Sequence, residues 1–184
     1  MLHKDMTIAD IEEVLKGKGD FVQIDYLSRL LKIKFLPLGR KKFVCLKLAE
    51  IYEKKGMLKD AAKMYSNVAI ICVAYSEKIK NYMKEAELYV KAGAFDLVDE
   101  AIKKAMNHSN SAEKENIYFT IKDFYKRQAL VYEKEMKRAQ AVRIYEKLLE
   151  MNINEAERQV IKDRLMPLYE KLGKLKEYFK LKKS

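Results

Sequence analysis

Residues 48–65 read Leu-Ala-Glu-Ile-Tyr-Glu-Lys-Lys-Gly-Met-Leu-Lys-Asp-Ala-Ala-Lys-Met-Tyr. Before Gly56, Cys45, Leu48, Ala49 and Tyr52 return at three- and four-residue steps. After it, Ala61, Met64, Tyr65, Val68, Ala69 and Cys72 do the same. That is the period of two amphipathic helices, each with one apolar face, joined by a tight turn. The glycine is the natural residue for such a turn, because without a Cβ it ends a helix in the left-handed conformation at no steric cost. Alanines at Ala49 and Ala61 let the two helices approach closely, and the tyrosines fill the space beside them.

Outward from this stretch the pattern recurs. Gly19, Gly56 and Gly93 lie 37 residues apart; the next step is 43, to Met136, and then 37 again, to Gly173. Four residues before each stand Leu15, Tyr52, Tyr89, Tyr132 and Tyr169, and two after stand Phe21, Leu58, Phe95, Arg138 and Leu175. Ile24, Ala61, Val98 and Ala141 follow, then Ser28, Tyr65, Ile102 and Tyr145. Self-similarity at this period is the signature of a stacked helical repeat. The pattern predicts an all-α chain of five hairpins, with helices at about 7–17, 20–33, 41–55, 58–75, 77–92, 95–107, 112–135, 137–151, 155–172 and 174–182. Leu36-Pro37-Leu38-Gly39 is expected to break the chain between the first two hairpins. Ser111 is the expected N-cap after the polar insertion 107–111, and Asn154 with Glu157 has the form of a capping box. Nothing resembles a domain linker, so residues 1–184 are expected to form one repeat domain.

The frame Leu48-Ala49-x-x-Tyr52-x-x-x-Gly56-x-Leu58-x-x-Ala61-x-x-x-Tyr65 resembles the tetratricopeptide repeat. Ala86-x-x-Tyr89-x-x-x-Gly93-x-Phe95, and Ala129-x-x-Tyr132 with Ala141 and Tyr145, repeat it more loosely. The long period and the absence of Trp are closer to the wider tetratricopeptide-like group that includes the soluble NSF-attachment proteins. The resemblance implies a right-handed α-α superhelix, a solenoid whose first helices line a concave surface for protein or peptide partners. In tetratricopeptide proteins that grip acidic chaperone tails, a Lys and an Asn would be expected where Leu46 and Glu50 stand here, so that clamp is disfavoured.

Composition narrows the function classes. Six Gly and two Pro among 184 residues leave little turn chemistry for a β fold. The net charge of +11 is concentrated in residues 41–80 and 121–184, around an acidic 81–120. Cys45 and Cys72 sit in apolar segments with neither CxxC nor Cys/His spacing, which points to buried reduced thiols rather than zinc. Residues 1–13 carry charge where a signal peptide needs an apolar run, and the longest apolar stretch, Val68 to Tyr75, is too short to span a bilayer. A cytoplasmic location is expected.

His3 and His108 lack Cys or carboxylate neighbours at triad or ligand spacing, and there is no P-loop or GxGxxG. No catalytic, cofactor or metal site is expected. What remains is surface. If first helices face a groove, its residues are Phe43, Leu46 and Glu50, then Lys80, Met83, Lys84 and Glu87, then Lys126, Arg127 and Leu130. Apolar anchors mixed with Lys and Arg suit an extended or helical acidic-hydrophobic segment, although Leu46 and Met83 equally suit packing between hairpins. The leading expectation is a non-catalytic adaptor that binds a protein or peptide there. The alternative is a nucleic-acid-associated protein using the basic zones at 40–42 and 171–183, where Tyr178 and Phe179 are interleaved with lysines. In the same segment Leu175, Tyr178, Phe179 and Leu181 are otherwise expected to cap the last hairpin.

Overall fold

The computed structural model describes residues 6–183; the expectation for His3 lies outside them. Among the described residues there are ten α-helices and no strand: α1 (Ile8–Leu15), α2 (Asp20–Leu31), α3 (Leu38–Lys54), α4 (Leu58–Ile71), α5 (Tyr75–Lys91), α6 (Phe95–Met106), α7 (Ser111–Lys134), α8 (Arg138–Glu150), α9 (Glu155–Lys171) and α10 (Leu175–Lys183). None is long and apolar enough to cross a membrane. The chain falls into two compact units, Met1–Lys114 and Glu115–Ser184.

In the first unit, consecutive helices from α2 to α6 pack side by side. Ile11, Leu15, Leu27, Leu30, Val44, Leu48 and Ile51 form one buried cluster joining α1, α2 and α3. Cys45, Val68 and Cys72 form another between α3 and α4. Both thiols are free and buried, and burial pushes Cys45 up to about 11. Ala49, Ala61, Ala69, Ala86 and Ala101 are wholly buried, as a crossing of closely spaced helices requires. In the second unit α8 packs on α9 and α9 on α10, with Ala129 and Ala141 equally enclosed.

The turns are the most regular feature. Gly56, Gly93 and Gly173 have φ of 71°, 67° and 68°, and Met136 takes the same conformation at 58°. At each, the left-handed residue donates its N–H three residues back, to Glu53, Val90, Glu133 and Glu170. The next residue donates five back, to the carbonyls of Tyr52, Tyr89, Tyr132 and Tyr169, at 2.8–3.0 Å. These paired bonds are the Schellman closure, which satisfies carbonyls that a helix end otherwise leaves orphaned. Lys137 and Lys174 follow the turns in the second unit and lie 5.8 Å over the rings of Tyr132 and Tyr169.

The first hairpin departs from this frame. Gly17, not Gly19, takes the left-handed conformation (φ 72°), while Gly19 is extended and caps α2. The Leu15 carbonyl accepts the Lys18 N–H at 3.1 Å, and the Gln23 side-chain amide donates to the carbonyls of both Leu15 and Lys18. Leu38 and Gly39 lie inside α3, because Pro37 ends the break and accepts from Lys41 N–H at 2.9 Å. The cap of α7 is Asn110 rather than Ser111: Asn110 and Glu113 exchange side chain-to-backbone bonds at 2.9 Å in both directions. The Asn154–Glu157 box forms as expected. In α10 no residue is buried, and Leu175 and Phe179 are more than half exposed, so those two do not cap the hairpin.

Met136 occupies a glycine position with a side chain that is itself 65% exposed, so it carries the left-handed cost and gains little packing. Met136→Gly should raise the urea midpoint by the equivalent of about 0.5–1 kcal/mol. Gly56→Ala should lower it by about 1 kcal/mol, wholly through backbone conformation, because nothing lies within 4 Å of the added Cβ. A neutral result at Met136 would contradict the strain.

Candidate functional site

The residues expected to line a groove divide into those that pack, those that pair and those that face an opening. Met83 is 8% exposed and belongs to the core of α5, so for it the packing reading holds. Phe43 is half-buried against the cluster joining α1, α2 and α3, with Lys47 5.9 Å over its ring. Leu46 is half-buried against Cys45, Val68 and Cys72. Glu50 is exposed and pairs with Lys47 at 3.2 Å along the same helix, and Lys80 is exposed.

Lys84 is more deeply engaged. Its ammonium lies 3.1 Å from Glu53 and 3.3 Å from Glu87, and 5.9 Å over the ring of Tyr65. Tyr65 donates its hydroxyl to the other oxygen of Glu53 at 2.9 Å. Burial pushes the Tyr65 phenol up, and its bond to Glu53 adds to that. Glu87 completes the chain through Lys91 at 2.6 Å. A first helix thus reaches back to clamp the carboxylate held by the preceding hairpin's own tyrosine.

The second unit repeats this arrangement in register. Tyr145 donates to Glu133, and the Arg164 guanidinium lies 3.2 Å from that carboxylate. Glu53 and Glu133 stand three residues before their left-handed turns, and Tyr65 and Tyr145 nine after. Lys84 and Arg164 stand nine before the next turn. The acid, the phenol and the cation therefore recur at the same three places in the frame. Sequence reading passed over Glu53, Glu133 and Arg164; aligning charged residues to the turns, as was done for the apolar ones, would have found them.

Lys126 and Leu130 do meet at an opening. A concavity of about 410 Å³ among α7, α8 and α9 is lined by Lys126, Leu130, Tyr145, Ala156, Glu157, Val160, Ile161 and Arg164. Leu130 is 40% exposed and Val160 59%, an unusual degree for adjoining aliphatic side chains in a concave site. Charge is confined to the ends. Glu157 takes Lys126 at 2.6 Å and Lys122 at 3.0 Å, while Arg164 is held by Glu133. Arg127 does not line the opening; it pairs with Asp123 at 2.9 Å and stacks on Phe124.

The His108 ring is stacked with those of Tyr75 and Tyr82, at centroid distances of 5.6 and 5.9 Å. Beside it, buried Glu85 takes Lys104 at 3.0 Å, and Lys104 also donates to Ser66, tying α4, α5 and α6 together. Of the basic zones, Arg40 donates to the Met6 carbonyl at 2.8 Å and Lys42 pairs with Glu77 at 2.8 Å. No protein-family model matches the chain, and no curated protein matches it at a significant level.

The bonds from Lys126 and Lys122, strengthened by the Asn154 backbone, hold Glu157 down at about 2 from its ordinary 4.5, against a smaller opposing effect of burial. A carboxylate depressed in the folded state adds stability above its unfolded value and loses it as pH falls toward the folded one. The second unit should therefore lose stability between about pH 4.5 and pH 2. Glu157→Gln keeps the N-cap contact but not the charge. In thermal melts it should be less stable than wild type at neutral pH, and the two should converge at low pH. A constant gap across that window would contradict the ion pairing.

Proposed function

We propose that this chain is a non-catalytic adaptor that binds a segment of another protein in the groove between the first helices α7 and α9. The observation that carries the reading is the pair Leu130 and Val160, apolar and exposed inside a concavity whose charges are matched by internal partners. Such a site rewards an apolar side chain entering it, with little competing cost from stripping water off unpaired ions. The tetratricopeptide-like frame supports a right-handed superhelical path for the hairpins, with first helices inward. Free buried thiols accord with a reducing, cytoplasmic setting.

Groove residues must be tested without breaking the braces that hold the helices. Lys84 is unsuited to this, since reversing it would oppose Glu53 and Glu87. Leu130→Asp with Val160→Asp changes only half-exposed positions. Affinity capture from a lysate, with half the sample nuclease-treated, should recover a defined protein that survives nuclease and is lost with the double variant, while the urea melt stays within about 1 kcal/mol of wild type. Recovery unaffected by the variant would remove the groove from the reading.

A second reading assigns the chain to nucleic acid. The residues that favour it are the exposed lysines of α10, with Tyr178 and Phe179 packed edge to face beside them. Zone 40–42 contributes less, because Arg40 and Lys42 are held by Met6 and Glu77. This reading predicts capture that vanishes on nuclease treatment and an affinity falling steeply with log salt.

A further inference from the structure

The second helices can be compared at their fifth residue. It is Ile24 in α2, Ala62 in α4 and Val142 in α8. Each of these helices packs on the one that follows it. Ala62 and Val142 are wholly buried, and Ile24 packs against the core cluster of the first hairpin. In α6 the position holds Asp99, exposed and polar. In α10, the last helix of the second unit, it holds Phe179. That ring is 55% exposed, and Leu175, one turn before it, is equally uncovered. The position is apolar as though another first helix were to pack there.

The chemistry around Phe179 specifies what would cover it. Lys176, Lys180, Lys182 and Lys183 crowd the nine residues of α10, with Glu177 as its one acid. A covering helix must offer a small apolar face bordered by carboxylates. Among the described first helices, α1 has that composition: Ile8 and Ala9 are exposed, followed by exposed Glu12 and Glu13, with Lys16 as the one basic residue at its end. We infer that α10 of one copy is covered by α1 of a second copy, so that the chain associates with itself head to tail. Such a contact joins two different surfaces, so it closes where the rotation between copies allows and otherwise continues into larger species. The net charge of +11 opposes association at long range, but that repulsion is screened beyond about 8 Å at physiological salt, whereas Glu12 and Glu13 act on the lysines at contact.

Sedimentation across a concentration series at physiological salt tests this. The wild type should show an average mass that rises with concentration above the monomer. Phe179→Asp, Glu12→Lys with Glu13→Lys, and Lys176→Glu with Lys180→Glu should each lose that rise, with circular-dichroism melts near wild type because every substituted side chain is exposed. Mixing the two charge-reversed proteins should restore it, since each then supplies the complement of the other. A wild type that stays monomeric throughout, association unchanged by Phe179→Asp, or a mixture that fails to recover would each overturn the inference.

Discussion

An α-helix that stops leaves its last carbonyls without donors, and a short hairpin has no spare residues to supply them. Here the same solution is applied four times. One residue takes the left-handed conformation, and the N–H groups of that residue and the next fold back onto the helix they have just left. The bond that reaches five residues back always ends on a tyrosine carbonyl, which places a large ring where the chain reverses. From that point the register of the second helix is set, because the number of residues between the turn and the buried Ala61, Val98 or Ala141 determines which face meets the first helix. The fold depends on this closure more than on any single core contact. The Met136 turn shows the point: the geometry is kept there even where a side chain makes it costly.

Once register is set by the turn, polar groups can be paired by position as reliably as apolar ones. The Glu53–Tyr65–Lys84 and Glu133–Tyr145–Arg164 groups follow from this. In each, a carboxylate near the end of one helix receives a phenol from its own hairpin and a cation from the next first helix. Partly exposed ion pairs of this kind contribute modestly, on the order of 1 kcal/mol or less. Their larger effect is on orientation, since a hydrogen-bonded tyrosine and a salt-bridged first helix hold one hairpin at a defined angle to the next. They also consume charge. The cavity in the second unit is apolar in character because Arg164, Lys126 and Glu157 are engaged with internal partners at its margins.

The helices were legible in the sequence to within four residues at every end, the largest miss being α4, expected to reach residue 75 and ending at Ile71, because apolar periodicity and glycine punctuation are direct consequences of backbone geometry. The errors have local physical causes. Gly19 and Gly17 compete for one turn, and spacing alone favoured the residue that fits the 37-residue period. The Asn110 cap was missed by one residue because Ser111 is an equally good cap by type, and only the reciprocal partner Glu113 decides between them. The candidate site was less legible. Exposure depends on which side chains of other helices cover a face, so Met83 and Leu130 could not be distinguished by helical position. Charged residues looked free because their partners lie some 30 residues away in sequence, as Lys84 does from Glu53 and Arg164 from Glu133.

Charge matching also separates the surfaces from one another. Zone 40–42 looks basic in sequence, yet Arg40 and Lys42 have acceptors within 2.8 Å. At the opening between α7 and α9, Lys122 and Lys126 are matched by Glu157 and Arg164 by Glu133. In α10 the balance fails, with Lys176, Lys180, Lys182 and Lys183 set against Glu177 and the exposed Phe179 ring between them. An exposed Phe179 is poorly explained as a solubilising surface, for which Asp99 in the matching position of α6 is the better design. The lysines are poorly explained as a purely apolar contact. A surface carrying both is suited to a partner that brings carboxylates and a hydrocarbon face together on one helix. The lysine stems can then lie along that face while their ammonium groups reach its acidic edge.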